Sequence, residues 1–493
     1  MPLSSFLRWP RRNSLRPQSL RHLGLLALFL GSTTLAQWGS FNQAAQAQSS
    51  RYCIFSTQES AQKERLRQTA MGGDRNAQRQ YQTLIQQHGQ SLAQCRQRGG
   101  WPKTQAIWVR LYPCDANPGV LEQLLDHIVN KGYNEVYIEV FSDSQVLLPA
   151  ADNPTPWVSV VRTPGQEKTD LLALALDKGR ERGLKMYAWL FTMNFGYAYG
   201  VRPDRQQAIA RNGRGQTSID VVPDGSQAFV DPYNRQAQTD YYTLVREVLE
   251  RRPDGVLFDY IRYPRGTGGA SVASSVKDLW VHGPSARQAL VNRGTNEQGR
   301  ALIQRFLNQG RITSADIRAV RSQFPNESSP QWQGRNSTSY GSELWKLSVA
   351  HAAQGVIDFL NLGSRMVLNQ RIPAGAVFFP HANRSVGQGY DSRLQPWDRF
   401  SPQLEWHAMS YAVCNGTQCI VDEVQRVLDE AQPGTRVVPA LAGQWGRVYN
   451  QHPPLETQMT ALQRAFPNLQ AVSHFAYGWQ EPQNTQARRA CRF

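Results

Sequence analysis

From residue 106 onward the chain alternates between two hydrophobic patterns. Short runs rich in β-branched and aromatic residues occur at 106–112, 135–141, 185–191 and 256–261, and again at 376–381, 407–413, 437–442 and 471–477. Each reads as a strand. Between most of them lie longer stretches with apolar residues three and four apart. Residues 118–131 put Leu121, Leu124, Leu125 and Ile128 on one helical face, and 169–182, 235–251, 342–362, 421–431 and 455–466 carry the same period. Eight strands mostly separated by helices predict an α/β fold with a parallel sheet, and eight such units closing on themselves make a (β/α)8 TIM-like barrel. A doubly wound open sheet is the alternative, but no Gly-rich phosphate turn follows the first strand. No helical pattern stands between the strands at 376 and 407.

The pattern also marks what is not barrel. Residues 48–100 are rich in Gln, Arg and Ala with a break at Gly72-Gly73, and read as a small N-terminal appendage of two polar helices. Gly99-Gly100-Trp101-Pro102 leads out of it into the barrel segment, 101–493. Within that segment 265–375 is a large, mainly helical insertion after strand 4, far longer than an ordinary βα loop. It carries helical patterns near 285–308 and 313–324, and its place in the chain puts it beside the barrel mouth. At the start, an arginine-bearing stretch precedes the apolar run 23–30, and Ala45-Gln46-Ala47 offers a small-x-small cleavage site. Residues 1–47 therefore read as a secretory signal. The apolar run falls well short of the ~20 residues that span a bilayer, so an exported product with no stable membrane span is expected.

Composition adds two points. Formal net charge is +16, and the five arginines of residues 1–47, a segment without acids, supply five of those units. A basic product is drawn to anionic polymers, but the basic residues are scattered and no nucleic-acid motif accompanies them. Six cysteines in an exported chain favour disulfides. Cys414 with Cys419 closes a short loop, Cys53 and Cys95 bracket the helical appendage, and Cys114 with Cys491 would tie the last residues to the first strand; free thiols are the alternative. Neither their spacing nor any His or acidic pattern matches a metal site, and no cofactor motif is present.

The fourth strand contains the residue that asks for an explanation. It reads Asp-Gly-Val-Leu-Phe-Asp-Tyr-Ile-Arg-Tyr-Pro from 254 to 264, with a carboxylate, Asp259, in a run that a doubly buried strand should keep apolar. Carboxyl ends of parallel strands are where such folds carry chemistry. Strand alternation puts Glu139 and Asp143 of the second strand region toward the same mouth. Two carboxyl groups flanking a glycosidic bond are what sugar hydrolysis requires. Arg110 faces Glu139, either as its buried ion-pair partner or as part of the site. Tyr411, Trp445, Tyr477 and Trp479 lie near the ends of later strands and offer faces for sugar rings. His381 ends the fifth predicted strand as a hydrogen-bond donor or base.

Residues 107–110, 136–143, 188–194, the Phe229-Val-Asp-Pro232 step with its following helix, and 254–264 resemble the glycosyl-hydrolase-like family 10 domain. The family comprises exported bacterial barrels, among them an enzyme of denuded peptidoglycan strands. The resemblance implies a glycan substrate and places Asp259 in the family's fourth-strand acidic position. Its segments add Trp189, Asn194, Arg262 and Tyr263 as candidate substrate contacts. This chain departs from the many members that carry two adjacent acids there, since Tyr260 follows Asp259. Glu139, Asp143 or Glu481 must then supply the second acid. The expectation is an exported glycoside hydrolase acting on a cell-wall or matrix polysaccharide, with peptidoglycan one choice of substrate. The alternative is a non-catalytic glycan-binding scaffold on the same barrel.

Overall fold

The computed structural model describes residues 51–223 and 225–492; the expected secretory signal, 1–47, lies outside them. Eight parallel strands form the barrel: β1 Thr104–Arg110, β2 Glu135–Ser142, β3 Lys185–Phe191, β4 Gly255–Asp259, β5 Ala374–Phe378, β6 Glu405–Ser410, β7 Ala440–Ala442 and β8 Ala471–Phe475. Each pairs with its neighbours in chain order, and β1 pairs with both β2 and β8, so the ring is closed. The strands are buried on both faces, as near-continuous apolar runs demand; every residue of β2, β4 and β5 is buried. The expected (β/α)8 architecture is the fold.

Helices α1 Thr57–Met71 and α2 Arg75–Arg98 precede the barrel. Helices α3 Val120–Asn130, α4 Leu171–Arg180 and α5 Arg235–Glu250 follow β1, β2 and β3. The insertion after β4 holds α6 Pro284–Val291, α7 Glu297–Gln309, α8 Ser314–Gln323 and α9 Tyr340–Asn369. Beyond β6 come α10 Gln418–Glu430, α11 Leu455–Ala465 and α12 Pro482–Arg489. Between β5 and β6 the helical content is a single 3-10 turn, Trp397–Arg399. A three-stranded ribbon, Val272–Ala273 with Gly389–Asp391 and Ser385–Val386, joins that connection to the insertion. Asp231 anchors the insertion from the other side: its buried carboxylate accepts the backbone N–H of Ala286, in the first turn of α6, at 2.9 Å.

The appendage is docked rather than loose. Asp126 of α3 accepts from Arg182 at 2.8 Å and from the Tyr81 hydroxyl of α2 at 2.6 Å, and Arg182 also donates to that hydroxyl at 2.7 Å. The cysteines form three bridges, Cys53–Cys95, Cys114–Cys491 and Cys414–Cys419, with none left free. The second of these runs beside a buried fork from Arg488 of α12 to Asp115, at 2.6 and 2.7 Å.

The amino-terminal ends of the strands form a charged floor. Arg436 reaches Glu405 at 2.6 Å and Glu135 at 3.6 Å. Tyr137 donates to Glu135 at 2.8 Å, Tyr187 donates to Glu405 at 3.3 Å, and His407 lies 3.2 Å from Glu405. Burial works against ionisation of Glu405, but the His407 contact and Arg436 outweigh it and draw its pKa down to about 2.

Candidate functional site

Asp259 is the last residue of β4, at the carboxyl-terminal rim of the barrel. The expected strand to 261 stops there because Tyr260 takes a left-handed backbone, φ +53°. That conformation is unfavourable for a bulky residue. It is held by the Tyr260 N–H donating to Asp259 Oδ1 at 2.6 Å, by Met193 N–H donating to the Tyr260 carbonyl at 3.2 Å, and by tilted ring packing on Phe191 at 4.2 Å. Asp259 Oδ2 accepts from the Trp189 indole N–H at 3.1 Å. Asp259 is 7% exposed. Burial raises its pKa to about 6 despite the two neutral donors and the nearby Arg262.

On the neighbouring side of the mouth, Arg110 and Glu139 are cross-strand partners and form a fork at 2.6 and 2.9 Å. Ser142 also donates to Glu139. The register of β2 against β3 shifts between Glu139 and Phe141, and Asp143 and Ser144 then take left-handed backbones. Such a bulge re-aims side chains at a rim. Asp143 is half exposed, 3.9 Å from Arg110. Glu139 and Asp143 thus share one guanidinium, and the ion-pair reading of Glu139 holds.

A second buried carboxyl lies where sequence reasoning did not look. Glu423 of α10 accepts the Ala412 N–H at 3.0 Å and has His381 Nε2 3.3 Å from its other oxygen. Burial raises its pKa to about 7, against the pull of that N–H, Arg384 and Arg393. Burial, then the charges of Asp259 and Glu423, push the Tyr411 phenol well up. His381 was expected to end a strand, but it sits in a turn three residues past β5. Its pKa falls to about 4 through burial and the arginines Arg384, Arg426 and Arg393.

An aromatic wall links these groups. Phe475 packs against Trp189 at 6.2 Å, Tyr411 at 5.8 Å and Trp479 at 5.5 Å, and Trp479 is partly exposed. Other candidates lie elsewhere. Trp445 packs on Tyr52 and donates to Tyr133 in the outer layer, and the buried Tyr477 hydrogen-bonds His127 of α3 and Asn484 of α12. Tyr477 opens a short helix, Tyr477–Gln480, and that turn carries it away from the rim. Glu481 pairs with Lys131 and His127 on the same outer side. Asn194 is fully buried and accepts the Gly196 and Ala228 N–H groups, fixing the loop after β3. Tyr263 is buried with its hydroxyl toward the Ala352 carbonyl of α9. A cavity of about 270 Å³ lies between α9 and 399–404, outside the barrel and away from Asp259. Among the described residues no group of three or more His, Cys, Asp or Glu is arranged to hold a metal ion, and no helix is long and apolar enough to cross a membrane.

Residues 112–325 match the family Glycosyl hydrolase-like 10. The resemblance read from 254–264 therefore holds, and the glycosyl hydrolase-like 10 match spans β2 to β4 and runs into the insertion. Among solved structures, the glycoside hydrolase domain of PgaB (BpsB) from Bordetella bronchiseptica is 15% identical, with 78% of this chain and 98% of that chain covered at a TM-score of 0.49. The spore cortex-lytic enzyme SleL of Bacillus megaterium is 9% identical, covering 78% and 73% at 0.37. A GH18 chitinase from Pseudoalteromonas aurantia is 10% identical, covering 79% and 98% at 0.36. No curated protein matches the chain.

Proposed function

We propose that this protein is an exported hydrolase of glycosidic bonds in a wall or matrix polysaccharide, with Asp259 at its reaction centre. The observation that carries this reading is a buried carboxyl at the rim of the barrel with no cation in contact, beside a partly exposed aromatic wall. With a pKa of about 6, Asp259 is mostly ionised at neutral pH. In that state it acts as base or nucleophile, or it orients an N-acetyl group of the sugar. Glu423, at about 7, keeps its proton over much of the same range and is the donor for the leaving oxygen. Glu139 and Asp143, engaged with Arg110, shape the mouth and hold Arg110 toward it. The glycosyl hydrolase-like 10 match supports a glycan-acting hydrolase, and three disulfides fit an oxidising compartment.

The missing neighbour of Asp259 favours the second reading, a barrel that binds glycan without cleaving it. One experiment separates the two: release of reducing ends from purified glycan strands between pH 4 and 9. The wild type is expected to give a bell with limbs near the two carboxyl pKa values. Asp259→Asn should fall by about 10³-fold or more, and Glu423→Gln should lose the alkaline limb. Equal turnover by wild type and Asp259→Asn removes the assignment. Retention on the strands with no reducing ends released establishes the scaffold instead.

A further inference from the structure

The cavity of about 270 Å³ outside the barrel is built from two pieces of chain that meet near the floor, away from the mouth. One wall is the last third of α9, where Ile357, Leu360, Ser364 and Leu368 recur at helical spacing. The other is the turn 399–404, which leads straight into β6. That turn is firmly seated. Trp397 stacks on Phe378 at 4.8 Å, Phe400 packs on the same ring at 6.3 Å, and the Trp406 indole donates to the Ser401 carbonyl at 3.4 Å. The cavity is lined by two cations, Arg365 and Arg399, and by no acid. Asp358 and Asp398, beside it in sequence, accept from Gln354 and Asn383, each at 2.8 Å. Elsewhere in the molecule the arginines of tight places are occupied. Arg110, Arg182, Arg436 and Arg488 each grip a carboxylate. Arg262 at the mouth donates to the Tyr263 carbonyl at 3.0 Å and lies among the rings of Tyr260, Phe229 and Phe379. Arg365 and Arg399 form no ion pair or side-chain hydrogen bond with a described residue.

Exposed arginines alone make no site; Ser364 between them is what points to a ligand. It is 2% exposed, yet its hydroxyl has no hydrogen-bond partner among the described residues. Ser348, earlier on the same helix, turns its hydroxyl back onto the Leu344 carbonyl at 2.8 Å, which is the ordinary resort of a buried helical serine. Leaving that bond unmade is unfavourable unless something else enters the cavity to accept it. The occupant is defined by what surrounds it. Two guanidinium groups with no acid between them call for about two negative charges, which a phosphate monoester carries at neutral pH and a single carboxylate does not. Its three free oxygens accept from two arginine forks and a hydroxyl at once. Leu360, Phe400 and Leu404 are buried at the same cavity and offer an apolar bed for the body of the ester. We propose that this cavity is a binding site for a phosphate monoester on a compact body, held by Arg365, Arg399 and Ser364. The phosphate belongs either to a soluble ester or to a lipid headgroup. The site is separate from the reaction centre, so it stands or falls apart from the hydrolase reading.

The test is binding by the exported chain at physiological salt. One arm titrates glycerol 3-phosphate calorimetrically, with lactate as the singly charged control. The other measures flotation with phosphatidylcholine vesicles, with and without phosphatidic acid. Binding in the first arm assigns the site to soluble esters, and binding only to vesicles with phosphatidic acid assigns it to the headgroup. In the arm that binds, Arg365→Gln combined with Arg399→Gln should weaken binding about 10–100-fold. Ser364→Ala, which leaves the charge unchanged, should weaken it about fivefold. Arg318→Gln, at an exposed position of α8 away from the cavity, should leave it as it was. If the double variant does not fold, the two single arginine variants take its place. Failure of both probes to bind overturns the site, as does lactate binding as tightly as glycerol 3-phosphate. Binding that survives in the cavity variants also overturns it, and so does an equal loss in Arg318→Gln, which would mean diffuse attraction by a basic surface.

Discussion

Arg436 at the floor of the barrel and Arg262 at its mouth are the same side chain in opposite circumstances. Arg436 bridges two carboxylates that are themselves hydrogen-bonded by tyrosines and a histidine. At the mouth, Asp259 takes only neutral donors and Arg262 takes a carbonyl and three rings, so the two opposite charges stand near each other without contact. A cluster whose charges satisfy one another has nothing left to offer a ligand and serves the fold. Charges held apart in a dehydrated place cost stability. The contrast is between these two arginines and not between whole ends of the barrel, since Arg110 and Glu139 at the mouth are as tightly paired as the floor.

The comparison breaks most visibly if the floor proves dispensable. Arg436→Met leaves Glu135 and Glu405 without their cation and should lower stability by about 3–5 kcal/mol in denaturant unfolding. Turnover per folded molecule should be unchanged; an unaltered midpoint would contradict the reading of the floor. The mouth should behave the other way. The folded pKa of Asp259 lies above its unfolded value, so the native state binds the extra proton between about pH 4 and pH 6. Wild-type stability measured against Asp259→Asn should therefore fall as pH rises through that window, by about 3 kcal/mol in all, and be flat above it. A difference that rises with pH instead would mean Asp259 is satisfied in the way Glu405 is. Smallest of the three is the aromatic edge: Trp479→Ala should raise KM for glycan strands about fivefold, corresponding to about 1 kcal/mol, with kcat held. A fall in kcat instead would place Trp479 against the reacting ring rather than beside it.

Much of this was legible in the chain. β3 spans the predicted residues, and the predicted gap between the fifth and sixth strands is real, filled by a ribbon and one 3-10 turn. Arg110 and Glu139 followed from strand alternation because neighbouring parallel strands put them side by side. What was hidden depended on where strands stop. Alternation predicts strand through Ile261, His381 and Tyr477, whereas the backbone turns at Tyr260, in the 380–383 turn and at the short helix opening on Tyr477. Each turn sends the following side chains to another layer, and no hydrophobic period announces it. Glu423 was invisible for a different reason. It occupies a polar position of an amphipathic helix that any solvent-facing glutamate could fill, and only the packing of α10 onto the end of β6 buries it.

The clasp at the end of the chain has a consequence for assembly. Cys114 follows β1 and Cys491 follows α12, 377 residues later, with Asp115 and Arg488 meeting alongside. A ring of strands can be stapled in this way only after its final member has been made. Of the three bridges, it is the last whose two partners both exist as the chain is made.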